Sequence, residues 1–250
     1  MFRGLIGVFA MYSKVPMPTL AWDEKCKRYI ICFLPIVGLV LGAFYVLVFN
    51  LCEYMMWDGF LKGVLLAAVP IAFTGGIHFD GFIDTVDAIS SYASKEKRLE
   101  ILKDPHVGAF GIIWSIVYFS MFAGFSSCID NGSILAMGGI FIISRCISAT
   151  ACVSIENANK NGSLHTLTKG TNKIVLIGVV ITSIALYLLF VEGLFILKGI
   201  VLLGTVCYFF IFKRFAIKNF GGITGDLAGF LLQTSELLML VLIVSMGRFW

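Results

Sequence analysis

Charge is scarce in this chain. Only 14% of its 250 residues are Asp, Glu, Lys or Arg, about half the share of an ordinary globular domain. That scarcity excludes a typical water-soluble fold, and the chain is instead 59% hydrophobic, with a mean hydropathy of +0.95. Paired cysteines are missing too. The seven cysteines, at 26, 32, 52, 128, 146, 152 and 207, are odd in number and form no CxxC pair. A disulfide framework and a zinc site are thereby excluded, and the thiols read as small apolar residues. No internal repeat is visible. A cleavable leader is not expected, because the brief apolar start runs into Lys14, Pro16 and Pro18 rather than a small-residue cleavage site. Residues 1–15 read instead as an amphipathic segment lying in a membrane interface.

What the chain does have is long apolar runs. About seven approach the roughly 20 residues that cross a bilayer: 29–50, 60–79, 109–128, 134–155, 174–191, 194–212 and 227–247. The expected fold is all-α, a polytopic helical membrane protein with one integral domain over 1–250. Basic residues set its orientation. Arg3, Lys14, Lys25, Lys27 and Arg28 precede the first span, and Lys95, Lys97, Arg98 and Lys103 lie between the second and third. Lys160, Lys169 and Lys173 follow the fourth, and Lys213, Arg214 and Lys218 follow the sixth. The alternate loops hold only Lys62, Lys198 and, at the tail, Arg248. Positive residues stay inside, which puts the N-terminus in the cytoplasm and the C-terminus outside the cell membrane. The net charge of +4 reports this topology and carries no nucleic-acid signal.

Against this background one acidic stretch stands out, Gly75-Gly76-Ile77-His78-Phe79-Asp80-Gly81-Phe82-Ile83-Asp84-Thr85-Val86-Asp87. Asp80, Asp84 and Asp87 are spaced i, i+4, i+7, one face of a helix. Stacked like charges cost a few tenths of a kcal/mol per pair. A hard cation relieves that cost, and carboxylates with water and phosphate are the usual Mg²⁺ environment. A solvated helix face is the plainer alternative.

Three more polar stretches share the expected cytoplasmic face: Asp104–Gly111, Glu156–Gly162 and Gly221-Gly222-Ile223-Thr224-Gly225-Asp226. Asp226 supplies a fourth carboxylate, although it also suits a helix N-cap. Glycines there allow backbone N–H groups to approach a phosphate. His78 suits a proton acceptor as well as a structural histidine, and His106 and His165 are given no role. Arg145 lies about 15 Å from the inner end of its span, and Glu236 about as deep in the last one. An isolated charge at that depth costs at least about 2.5–3.5 kcal/mol. The two are therefore expected to pair or to line a wet cavity, and an interhelical ion pair explains them as well as a substrate contact does.

The motif at 75–87, followed by Arg98-Leu99-Glu100-Ile101-Leu102-Lys103-Asp104 and Gly108-Ala109-Phe110-Gly111, resembles the cobalamin synthase family, the membrane-bound adenosylcobinamide-GDP ribazoletransferases. Gly221–Asp226 with Glu236 downstream resembles the family's C-terminal motif. Lys14-Val15-Pro16-Met17-Pro18 is similar to its N-terminal segment, and Phe33–Gly38 to its first span. The likeness follows motif order over nearly the whole chain. It departs at Phe79, Ala88 and Ser13-Lys14, and the loop after the fourth span lacks the family's usual arginine.

The resemblance implies transfer of α-ribazole, or its 5′-phosphate, onto adenosylcobinamide-GDP with release of GMP and a requirement for Mg²⁺. It implies catalytic roles for Asp80, Asp84 and His78, and a metal set of Asp80, Asp84, Asp87 and Asp226. It also implies substrate contacts from Lys14, Arg98, Asp104, Gly108, Arg145, Gly222, Thr224 and Glu236. Membrane lipid is an expected partner, nucleic acid is not, and a homo-oligomer is compatible with everything above. Two other functions fit parts of the sequence. A CDP-alcohol phosphotransferase acting on lipid shares the Asp-Gly-x-x-Asp pattern, but Thr85-Val86 stands where that class carries alanine-arginine. A secondary transporter would use Arg145 and Glu236 near the midplane, yet the polar residues crowd one face.

Overall fold

A computed structural model describes residues 1–19, 23–160, 162–190 and 195–247. They form twelve α-helices: α1 (Phe2–Tyr12), α2 (Glu24–Ile30), α3 (Leu34–Tyr54), α4 (Gly59–Thr74), α5 (Ile77–Ser90), α6 (Lys95–Ile101), α7 (Ala109–Ser126), α8 (Ile134–Ser154), α9 (Ser163–Thr168), α10 (Lys173–Phe190), α11 (Phe195–Phe220) and α12 (Gly225–Gly247). A 3₁₀ turn, Ile31–Phe33, joins α2 to α3. Local chemistry sets the starts. Asp23 accepts the Cys26 N–H at 2.7 Å ahead of α2, and Asp58 accepts the Leu61 N–H at 2.9 Å ahead of α4, each satisfying a backbone donor that a helix start leaves open. Pro35 sits in the first turn of α3, where its missing N–H costs nothing.

The protein is the expected all-α polytopic membrane protein. Five helical stretches are long and apolar enough to cross a membrane, or six when the bent α4–α5 pair counts as one. The expectation of about seven spans differs at two places. The run 174–191 becomes α10, an apolar helix whose described length falls just short of the five above. The run 60–79 does not stay straight: the chain breaks after Thr74 and α5 leaves the line of α4 by 99°. The expected boundary at 191–194 lies outside the described residues, as do Asn161, the tail Arg248 and the side chain of Lys25.

The centre of the bundle is α8, buried along nearly all its length. It meets α3 through small residues, as packed membrane helices do when backbones approach closely. A Cβ on Gly42 would collide with the Gly138 carbonyl, and one on Gly38 with the Phe141 carbonyl. Helix α8 also meets α12, which in turn packs on α5. Outward-facing apolar side chains on α7, α10 and α11, such as Ile116, Ile174 and Phe210, are exposed as a lipid-facing surface requires. The N-terminal α1 is more than a surface segment: Gly4, Gly7, Val8 and Phe9 are buried, with Gly4 and Gly7 against α2.

Candidate active site

The site begins at the break. Gly75 and Gly76 have φ of +67° and +81°, a region glycine enters without strain. The Lys14 side chain crosses Gly75 so closely that a Cβ there would collide with it, and the Lys14 N–H donates to the Phe73 carbonyl at 2.8 Å. Lys14 therefore straps the bend that redirects α5. Along α5, Asp80 is exposed while Asp84 and Asp87 are half-buried.

The second wall arrives with α12. Gly221 turns with φ +78°, and a Cβ on Gly222 would collide with the Glu156 carbonyl. Here the chain pairs with the segment after α8: Ile223 N–H donates to Glu156 O at 2.9 Å, and Ala158 N–H to Ile223 O at 3.0 Å. Thr224 caps α12, its hydroxyl accepting the Leu227 N–H at 3.2 Å and donating to Asp226 Oδ2 at 3.4 Å. The helix then meets α5 backbone to backbone. A Cβ on Gly81 would stand 2.7 Å from the Asp226 carbonyl, and one on Gly229 2.8 Å from the His78 carbonyl. That approach brings Asp226 beside the carboxylates of α5. Burial first, then the charges of Asp80, Asp226 and Asp87, push the Asp84 carboxyl up to about 7.

Asp87 is engaged differently. It accepts the Gly108 N–H and the Gly111 N–H, both at 2.8 Å, and so caps α7 from another helix. A Cβ at either glycine would collide with that carboxylate. Its oxygens keep further lone pairs free.

Among the described residues, no cation lies within ion-pair distance of Asp80, Asp84, Asp87 or Asp226. Nor do three His, Cys, Asp or Glu side chains among them form a ready metal cage. These carboxylates are left unneutralised by the protein, a donor set that suits a hard divalent cation keeping waters of its own.

Beside the carboxylates is a cavity of about 320 Å³. Asp80 and Asp226 line it together with His78, Tyr12, Ser148 and Cys152. Tyr12 stacks on His78 with ring centroids 5.5 Å apart and planes 10° from parallel. His78 is buried, and its Nε2 has no protein partner.

Other expected site residues are placed elsewhere. Arg98 donates to the Asn219 side chain at 2.9 Å, tying α6 to the end of α11. Asp104 is exposed and accepts both the backbone and ring nitrogens of His106. Arg145 and Glu236 are fully buried and ion-paired, with the Ser144 hydroxyl donating to Glu236 at 2.9 Å. Arg145 Nε and Nη2 and Glu236 Oε2 have no further protein partner. Sequence reasoning missed Tyr12, Ser148, Gly81 and Gly229. The only available signal was Gly81 inside the acidic motif, since the others depend on which helices touch.

The chain is similar to known proteins along nearly its whole length. The family model described as Cobalamin-5-phosphate synthase matches residues 4–244. An adenosylcobinamide-GDP ribazoletransferase of Lachnoclostridium phytofermentans is 40% identical over 245 residues, covering 96% of this chain and 92% of its own. One from Clostridium botulinum strain Alaska E43 is 34% identical, covering 95% of each chain. One from Clostridioides difficile strain 630 is 27% identical, covering 96% of each. No solved structure matches the fold. The carboxylates, the strapped bend and the paired 156–158 and 221–224 segments all fall inside the matched region, and the chain belongs to the cobalamin-5-phosphate synthase family.

Proposed function

We propose that the protein joins α-ribazole, or its 5′-phosphate, to adenosylcobinamide-GDP, releasing GMP and completing the nucleotide loop of adenosylcobalamin or its 5′-phosphate. The observation that carries this reading is the meeting of Asp80, Asp84 and Asp226 beside a cavity, unneutralised, in a chain of this family. A ribose hydroxyl attacks the phosphorus that carries the cobinamide arm. One P–O bond forms, the P–O bond to GMP breaks, and the hydroxyl proton passes to a base. Such displacements depend on positioning and charge neutralisation more than on covalent help.

Asp80, Asp84 and Asp226 are the residues that would hold Mg²⁺, with Asp87 adding its free lone pairs. Bound there, the ion would supply charge neutralisation on the diphosphate and on departing GMP. Asp80, Asp84 and His78 are the candidates for the proton-accepting role. Asp87 fixes α5 against α7, Thr224 fixes the start of α12, and Gly222 admits the backbone of 156–158. Arg145 and Glu236 hold α8 to α12 behind the site. Arg98 and Asp104 act on the loop between α5 and α7, not on the cavity.

The positive-residue pattern supports a cell-membrane protein with its N-terminus and active site on the cytoplasmic side. Surrounding lipid is then an obligate partner, and self-association is compatible with the exposed apolar helices. The purified protein, given Mg²⁺, adenosylcobinamide-GDP and α-ribazole, is expected to produce GMP and a complete cobamide in equal amounts. Absence of both products would reject the reading.

A further inference from the structure

We infer that the 320 Å³ cavity between α1, α5, α8, α9 and α12 is the acceptor subsite, taking the fused aromatic base of a ribosyl-benzimidazole while the ribose lies toward Asp80 and Asp226. The inference rests on the transfer reaction proposed above and assigns one of its two substrates to a place.

Size decides first. Small-ligand pockets begin at roughly 300 Å³, so this volume encloses a nucleoside. A corrin macrocycle with its amide side chains and a GDP arm is several times larger and must stay outside, reaching the carboxylates from the solvent side where Asp80 is exposed.

Chemistry decides next between the two bases present in the reaction. Away from the carboxylates the wall is mostly apolar: Met11, Ile31, Leu34, Leu164 and Leu167 line it beside Ser148, Cys152 and Ser163. The Ser148 hydroxyl there already donates to the Ala228 carbonyl at 3.2 Å. Guanine buried against that wall would leave its amide and amino edge unpaired, a cost of about 1–3 kcal/mol per group in proteins. A ribosyl-benzimidazole offers ring faces, carbon edges and a single ring-nitrogen acceptor, so its base loses at most one hydrogen-bonding site on entry, against several for guanine. The stacked Tyr12–His78 pair adds a rigid aromatic boundary.

Position agrees with chemistry. Asp80 and Asp226 are the only acidic residues lining the chamber among the described residues. A nucleoside whose base fills the apolar part presents its ribose hydroxyls beside them, where a diphosphate held by the same carboxylates would be attacked. The apolar end is built by α1, the 3₁₀ turn, the start of α3 and α9, elements remote in sequence from the acidic motif, so base selection and phosphate chemistry reside on separate parts of the fold.

The test uses the full-length protein in detergent with two variants. In Leu164→Trp the indole fills the chamber. Equilibrium dialysis with α-ribazole alone is expected to show binding to the wild type and at least about tenfold weaker binding to this variant, the scale of discrimination an apolar pocket achieves. Adenosylcobinamide-GDP should bind both equally. In Leu167→Ala the chamber is enlarged, and turnover should shift toward a riboside with a bulkier tricyclic base, relative to α-ribazole. Wild-type affinity for α-ribazole in Leu164→Trp would overturn the assignment, as would an unchanged base preference in Leu167→Ala. If Leu164→Trp loses both ligands through misfolding, the base preference of Leu167→Ala decides alone. Failure of the wild type to form GMP and cobamide would instead reject the parent reaction, a result separable from either variant's behaviour.

Discussion

Asp84 concentrates the electrostatics of the site in one side chain. Its folded-state pKa of about 7 lies above the ordinary 3.8 because burial and three neighbouring carboxylates disfavour its charge. The sign follows directly. Without a cation the folded state binds this proton more tightly than the unfolded chain does. The favourable contribution is complete below the ordinary value and is lost as pH rises to about 7. A cation needs the deprotonated form, so protons compete with it. The Mg²⁺ concentration giving half-maximal activity should therefore be higher at pH 6 than at pH 8. Equal values would show that Asp84 does not face the ion. Arg145 and Glu236 pose a different residue-scale question. Losing one member of a buried pair costs about 3–5 kcal/mol because the other charge is left uncompensated. Arg145→Met and Glu236→Gln should each lower thermal stability more than the double variant does. Strictly additive losses in the double-mutant cycle would show that the two do not interact.

Helices α5, α7 and α12 explain how much of the site could be read from the sequence. The i, i+4, i+7 spacing put three carboxylates on one face of α5, and the helix carries them so. The direction of that helix was not legible, because hydropathy is continuous through 60–79 and says nothing of direction. The Gly75-Gly76 pair was the visible mark of the break, but a glycine pair in an apolar run fits a packed helix equally well. Asp87 was legible as an acid and not as a cap, since its partners lie 21 and 24 residues later. The pairing of Ile223 with 156–158 was hidden for the same reason, as long-range contacts leave no local pattern. The α7 cap yields a prediction at this scale. Asp87→Ala removes a charged cap, with an expected loss of about 0.5–2 kcal/mol. Gly111→Ala introduces a collision with the same carboxylate. Both should lower the melting temperature, and activity should fall with it because α5 loosens from α7. Unchanged melting in both variants would exclude the cap as a determinant of the site.

Across the whole molecule, the apolar runs anticipated the bundle and the basic residues its proposed orientation, whereas the number of crossings turns on the bend between α4 and α5 and on α10, which is described only to residue 190. The end of the bundle that gathers the carboxylates also gathers α6, α9 and the 221–224 turn. Orientation is tested with single cysteines in a cysteine-free background. Positions Ser94 and Ser163 should be shielded from impermeant thiol reagents in intact cells, and a cysteine replacing Asn131 should react. The opposite pattern would move the catalytic face outside. The most direct test is a joint assay of GMP release and cobamide formation against Mg²⁺, for the wild type and Asp84→Asn. The wild type should yield both products in a one-to-one ratio that depends on Mg²⁺, while Asp84→Asn stays folded and yields neither. Metal-independent turnover, or near-normal activity of Asp84→Asn at limiting Mg²⁺, would contradict a carboxylate-held cation as the centre of this enzyme.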